Sequence, residues 1–461
     1  GHPALVAVSP QAPVTDWFIG DDFHHKGVFF VMDGFSFYPS FGTPHPKPST
    51  TYTSGFSFKS DDNYNAYLKT GALKNFAKLM GDSIKFWKDF YDHPNYDAWW
   101  QARNARNGLY NVKPAVLWVG GLFDAEDCFG AWNSYKANEK QSPQTNSRIV
   151  MGPWYHGQWS REGSFMGNVR FGSNTSAYFQ DSIEIPFFNY YLLGKGNTSR
   201  IAEANIFFTG ENDWKKFDVW PPKNVEEQNL YLAANGKLFL NNKEGITGTD
   251  KRKDNTSYDE YISDPSHPVP YTQDVHFRRT REYMTDDQRF ASRRPDVLTY
   301  ETEILNDNIT LAGPVIADLM TSISTTDADF VVKVIDVFPD DFKYPNDMKG
   351  NDKDYPMGGY QMLVRAEIMR GKFRNSFEKP EPFVPGKITE VKWELPDVAH
   401  TFLKGHRIMI QIQSTWFPLA DRNPQKFIDI YKADDSDFQK ANIRIYHDTE
   451  HASKIILPVL K

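Results

Sequence analysis

The apolar positions of the chain follow different periods in turn, and each predicts a different element. Near the start, Ala4-Leu5-Val6-Ala7-Val8 is an unbroken apolar run, the pattern of a buried strand. Residues 37–55 are crowded with Pro, Ser, Thr and Gly, which predicts a long irregular loop. Leu73, Phe76, Ala77 and Met80 then keep the i, i+3, i+4, i+7 spacing of one helical face, and Ile84, Trp87, Phe90 and Tyr91 continue it after Gly81-Asp82-Ser83. A small helical cap is expected there. The runs 114–119, ended by Gly120-Gly121, and 148–151, ended by Gly152-Pro153, read as parallel strands covered on both faces. Each should be followed by a helix, with a helical stretch over 180–193.

Beyond about residue 200 the period changes to two. Val315, Ala317, Leu319, Thr321 and Ile323 share one face, as do Val391, Trp393 and Leu395, and then Ile408, Ile410 and Ile412. With turn signals at Asn235-Gly236 and Lys404-Gly405, this part reads as a jelly-roll β-sandwich. The expected fold class is therefore α/β plus all-β. An α/β sheet domain would be built from residues 1–29 and 111–200, with a helical cap over 30–110 and the sandwich over 201–461.

Composition narrows the function classes. The 461 residues are 40% hydrophobic and 24% charged, as in an ordinary globular protein of two or three domains. A net charge of −7 provides no basic footprint for a phosphate backbone or an anionic membrane, so neither nucleic acid nor a membrane is an expected partner. No apolar run approaches the roughly 18–20 residues of a membrane-spanning helix. The one cysteine, Cys128, excludes an intramolecular disulfide framework and a multi-cysteine metal site, and reads as a small buried hydrophobe. The chain opens at Gly1 and runs at once into a strand, so a preceding segment is expected.

The candidate chemistry lies at the two strand ends. Gly120 to Asp127 reads G-G-L-F-D-A-E-D, which puts Asp124 just past a buried strand, where open α/β sheets place their ligands. Met151 to Gly157 reads M-G-P-W-Y-H-G and puts His156 in the equivalent place 32 residues further on. Singly, Asp124 reads as a helix N-cap, with a helix starting near Ala125, and His156 as a loop histidine between Trp154 and Trp159. Together, an acid and a histidine on consecutive strand ends form the second half of a hydrolase triad, in which the buried acid fixes the tautomer of the histidine base. No G-x-S-x-G turn occurs in the chain, so no nucleophile is assigned.

A second group is acidic: Asp21 and Asp22 in W-F-I-G-D-D-F-H-H, with Glu126 and Asp127. If Asp22, Glu126 and Asp127 converge at the mouth of the site, a substrate ammonium would relieve their repulsion; otherwise they are solvated surface charges. His24-His25 does not suggest a metal, because adjacent histidines in an extended chain point apart and no third ligand has a recognisable spacing. Aromatic residues make up 15% of the chain, which leaves a carbohydrate-binding or partner-binding sandwich as the non-catalytic alternative.

The segments H-P-A-L-V-A-V-S-P-Q-A-P-V-T-D-W-F-I-G-D-D-F-H-H, G-G-L-F-D-A-E-D and G-P-W-Y-H-G-Q-W resemble α-amino acid ester hydrolases, of the X-Pro dipeptidyl peptidase, cocaine esterase and glutaryl-7-ACA acylase superfamily. The resemblance implies a partial α/β-hydrolase sheet of roughly the last three strands, with the helical cap and jelly roll already read. It makes Asp124 the triad acid, His156 the triad base, and Asp22, Glu126 and Asp127 the carboxylates that bind an α-ammonium. It implies a serine hydrolase and acyltransferase acting on small α-amino esters and β-lactams through an acyl-enzyme. It also implies no metal or other cofactor, a homo-oligomer, and a periplasmic or secreted location. The nucleophile and the oxyanion tyrosine would precede Gly1, so this chain alone is expected to be inactive and its first strand to present an unpaired edge. X-Pro dipeptidyl peptidase, cocaine-esterase-like and glutaryl acylase activities remain the alternatives.

Overall fold

A computed structural model describes residues 2–45, 47, 48, 50, 56, 58–243, 257–276, 278–350, 352 and 354–461. The first sheet has five strands in the spatial order Ala7–Val8, Ala115–Gly121, Ser147–Gly152, Ala204–Phe208 and Asp213–Phe217; the first four are parallel and the last is antiparallel. Two of the five lie past residue 200, where the sequence pattern suggested that the sandwich had begun. Ala204–Phe208 is fully buried, so its run A-N-I-F-F lacks the alternation that would have marked a change of sheet.

The unbroken apolar runs have a direct cause. Val116 and Trp118 point into the core shared with helix Cys128–Gln141 and the sandwich. Leu117 and Val119 point into a second core with Phe179, Ile183 and Phe187. That second cover is longer than the predicted 180–193: it begins at Thr175, where the Asn174 side chain accepts from the Ala177 amide, and passes through a π turn at Gln180–Glu184 into Ile185–Leu193. The opening strand is shorter than expected. Ala7–Val8 alone is paired, while Leu5 and Val6 are each 46% exposed, because the strand has a neighbour on one side only among the described residues.

The cap contains the helices Val31–Phe41, Asn63–Thr70, Leu73–Met80, Lys85–Tyr91 and Ala98–Gln101. The first of these takes in residues 37–41 of the stretch predicted to be irregular; Val31, Met32, Phe35 and Tyr38 form a buried helical face, and Pro39 falls near the end, where helix is about to stop. Residues 46, 49, 51–55 and 57 of that region lie outside the described residues.

Among the described residues the jelly-roll β-sandwich is one continuous network of eleven strands, organised around the long strand Ile309–Ile323, which pairs with Thr389–Phe402, Ala441–Tyr446 and Lys454–Leu460. Its predicted inward positions are buried: Val315, Ala317, Leu319, Val391, Leu395, Ile408, Ile410 and Ile412. Asp329–Val337 and most of Gln361–Arg370 are buried on both faces and do not alternate, and both faces carry charged groups. Arg370 holds Asp329 and Asp421 at 2.9 Å each, Asp421 accepts from the Phe29 amide at 2.9 Å, Glu367 meets His25 at 3.1 Å, and Lys136 pairs with Asp397 at 2.6 Å. The sandwich is thus bolted beneath the turns that leave the first sheet.

Candidate active site

Asp124 and His156 leave the sheet on neighbouring turns, after Ala115–Gly121 and Ser147–Gly152, whose last paired residues are Gly121 and Gly152. Past that rung the turns stay together: the Leu122 amide donates to the Gly152 carbonyl at 2.8 Å and the Phe123 amide to the Trp154 carbonyl at 3.1 Å. Gly121 permits the approach, since a Cβ there would lie 2.1 Å from the Trp154 carbonyl oxygen. Gly157, with φ of +81°, supplies the left-handed bend just beyond His156.

Asp124 is buried and divides its oxygens between two tasks. Oδ1 accepts from the amides of Glu126 and Asp127, at 3.0 and 3.2 Å, and Oδ2 faces His156 Nδ1 at 3.2 Å. Asp124 is therefore not the N-cap expected from the sequence, a position that Asp127 takes; its carboxylate braces the turn before the helix and also faces His156. The helix starts at Cys128 and not near Ala125, because the backbone first completes this carboxylate-braced turn.

The structure brings Asp22, Glu126 and Asp127 to the same place. Asp127 Oδ2 and Glu126 Oε2 lie 3.3 and 3.4 Å from His156 Nδ1. The Asp22 amide donates to the Glu126 carbonyl at 3.0 Å, its φ of +52° turns the residue toward the acid loop, and its Oδ2 accepts from the Trp17 indole at 2.9 Å. Asp21 does not join them; its Oδ2 accepts from the Thr15 amide and hydroxyl and the Asp16 amide, bracing the loop from within. Cys128 is buried, as read from the sequence.

The electrostatics follow from crowding and burial. Burial, reinforced by repulsion from Asp21, Glu126 and Asp33, pushes the Asp22 carboxyl up to about 7 against the Trp17 hydrogen bond. Asp127 is raised well above the carboxylate range, chiefly by burial, with its bond to His156 opposing. The hydrogen bonds to Asp124 and Asp127 push His156 up to about 11, partial burial opposing. His156 is 45% exposed and opens, with Asp22, Glu126 and Asp127, onto a cavity of about 570 Å³ whose apolar wall includes Trp17, Phe23, Phe37, Tyr38 and Phe86. Asp124, Glu126, Asp127 and His156 bring donor atoms within 4.8 Å of one another, an arrangement that attracts a cation.

One contributor was not foreseen. Arg279 pairs with Glu126 Oε1 and with Asp33 Oδ1, and it lies 153 residues from Glu126, a separation that no local pattern reveals. The faint signal is the run Arg278-Arg279-Thr280-Arg281 in an acidic chain. His24 and His25 diverge as expected: the first meets the Tyr431 hydroxyl at 2.7 Å, while the second meets Glu367 and stacks on Phe30.

A mostly parallel sheet bearing an acid and a histidine on consecutive strand ends, carrying a helical cap and fused to a jelly roll, is the architecture of the α/β-hydrolase fold class. The chain belongs to the superfamily of X-Pro dipeptidyl peptidases, cocaine esterases and α-amino acid ester hydrolases: residues 1–158 match the X-Pro dipeptidyl-peptidase (S15) family and residues 189–456 the X-Pro dipeptidyl-peptidase C-terminal non-catalytic domain. It is similar to a cocaine esterase of Rhodococcus sp. (strain MB1 Bresler), 28% identical over 378 residues that cover 80% of this chain and 60% of the relative. A putative serine esterase of Mycobacterium tuberculosis (strain CDC 1551 / Oshkosh) is 24% identical over 334 residues, covering 68% and 46%. The chain thus spans 60% or less of these curated relatives. Among solved structures, an aminopeptidase from a marine sediment Thaumarchaeota archaeon superposes with a TM-score of 0.89 at 36% identity, covering all of this chain and 73% of that one. An α-amino acid ester hydrolase superposes with a TM-score of 0.89 at 34% identity, covering 99% and 73%.

Proposed function

We propose that the complete protein hydrolyses esters and amides of α-amino acids through an acyl-enzyme, with Asp124 orienting His156, His156 acting as general base, and Asp22, Glu126 and Asp127 holding the α-ammonium. The nucleophile in this reading is a serine outside residues 1–461. The observation that carries it is the convergence of three carboxylates and His156 on one aromatic-walled cavity: the carboxylates suit an ammonium, and the rings suit an apolar acyl side chain. The ester hydrolase and the aminopeptidase among the structural relatives are named for substrates that carry an amino group in that position. Amides of this class include the side chains of β-lactam antibiotics, and an acyl-enzyme can pass its acyl group to another amine as well as to water.

The same geometry couples amine binding to catalysis. His156 Nδ1 lies 3.2 to 3.4 Å from one oxygen of each of Asp124, Glu126 and Asp127, a surrounding that favours the protonated imidazole. An ammonium that engages Glu126 and Asp127 leaves Asp124 as the partner of His156 and returns the imidazole toward the neutral form that a general base requires.

The test is hydrolysis of phenylglycine methyl ester against methyl phenylacetate, which differs only in lacking the amine, by the complete protein and by its Asp22→Asn and Asp127→Asn variants. A preference for the amino ester that collapses in the variants is expected. Equal rates on the two esters in the unaltered protein would overturn the reading. Activity of residues 1–461 alone would place the nucleophile within them.

A further inference from the structure

Arg279 stands in the connection between strand Tyr258–Ser263 and helix Arg289–Ser292, within the part of the chain matched to a domain described as non-catalytic. Its side chain is 12% exposed. Nε donates to Asp33 Oδ1 on the first cap helix, and Nη2 donates to Glu126 Oε1 on the acid loop. Two residues on, the Arg281 guanidinium lies 5.0 Å from the ring of Tyr155, the neighbour of His156. One stretch of the sandwich therefore reaches both turns of the candidate active site.

We propose that Arg279 is a positioning residue for amine recognition: by occupying Glu126 Oε1 it fixes that carboxylate with Oε2 toward the cavity, and it balances one negative charge of the cluster. The inference rests on the function proposed above and extends it to the sandwich domain. Asp22, Glu126 and Asp127 repel one another, and without a fixed cation that repulsion is relieved by a proton or by rotation of the Glu126 side chain, each of which removes an acceptor that the substrate needs. A carboxylate already held in place does not lose rotamer freedom when the ammonium arrives. The planar fork of arginine engages Glu126 and Asp33 at once, which the single nitrogen of lysine does less well.

The experiment uses the complete protein, phenylglycine methyl ester and methyl phenylacetate. Arg279→Gln is expected to raise KM for the amino ester by about tenfold, with kcat and the kcat/KM of the des-amino ester within about twofold, as for the loss of one interaction made by the amine alone. Arg279→Lys should recover part of the effect. Because Arg279→Gln leaves Asp33 buried without its cation, the Asp33→Asn/Arg279→Gln double variant removes both halves of that pair and should show the same split. Unchanged KM for the amino ester, or equal losses on both esters in the double variant, overturns the inference. An unaltered protein with no preference for the amino ester overturns the function reading as well, whereas a preference that survives in the variants overturns only the role of Arg279.

Discussion

Asp124→Asn separates the two tasks that one buried side chain performs. The asparagine oxygen can still accept from the amides of Glu126 and Asp127, so the turn keeps its brace. The amide nitrogen now faces His156 Nδ1 at the position where Oδ2 stood, 3.2 Å away, and it cannot accept a proton. The imidazole is driven to the tautomer with its proton on Nε2, the atom that in the proposed mechanism receives the proton of the nucleophile. A triad acid replaced in this way costs about 10⁴ in kcat, or about 5 kcal/mol of transition-state stabilisation. Asp127, 3.3 Å from the same nitrogen, is the group able to substitute, so Asp124→Asn/Asp127→Asn is measured beside the single variant. Asp124→Ala should lose as much activity and, having lost the brace too, about 1 kcal/mol of stability in addition. The assays are kcat on phenylglycine methyl ester with the complete protein, and thermal unfolding. Asp124→Asn activity within tenfold of the unaltered protein would refute Asp124 as the orienting acid, and a collapse confined to the double variant would move that role to Asp127.

The amine grip should depend on pH in a definite direction. Asp22 must be ionised to hold an ammonium and is pushed up to about 7, so KM for phenylglycine methyl ester should climb as pH falls through 7 while KM for methyl phenylacetate stays flat; parallel profiles would argue against the carboxylates. Gly121→Ala forces a Cβ against the Trp154 carbonyl and should separate the two turns, lowering kcat by about 10² for a displacement of about 1 Å. Arg370→Met leaves the buried Asp329 and Asp421 unpaired and should cost about 3–5 kcal/mol in urea unfolding. A metal chelator should leave the activity of the complete protein unchanged, since His156 Nδ1 is engaged by Asp124; a loss restored by a divalent ion would show that the acid cluster holds a metal.

Periodicity reveals an element when its neighbours on each face are of one kind. The sandwich strands around Val315–Ile323 and Ile408–Ile412 have a core side and an open or polar side, and their alternation was legible. The doubly buried Asp329–Val337 strand was not, because buried ion pairs place charges where the pattern expects apolar residues. Ala204–Phe208 was misplaced for the converse reason: a short, wholly buried strand looks the same in either sheet. The helix over residues 37–41 was obscured by Pro39, whose cost is small at a helix end.

Local sequence determined the parts of the candidate site that arise from short-range geometry. Strand, glycine pair and acid place Asp124 beyond a strand end, and strand, Gly152-Pro153 and a short turn place His156 beyond the next one; adjacent parallel strands then bring the two together. The tertiary structure alone decided what surrounds them. Asp22 arrives from a loop held by Trp17, and the aromatic wall comes largely from the cap. Arg279 comes from the sandwich, and the shared occupancy of His156 Nδ1 exists only once these segments are packed. The physical reason is that hydrogen bonding and side-chain periodicity act over a few residues and are visible in a single chain segment, whereas Coulomb interactions and burial depend on distance in space, which the order of residues does not record.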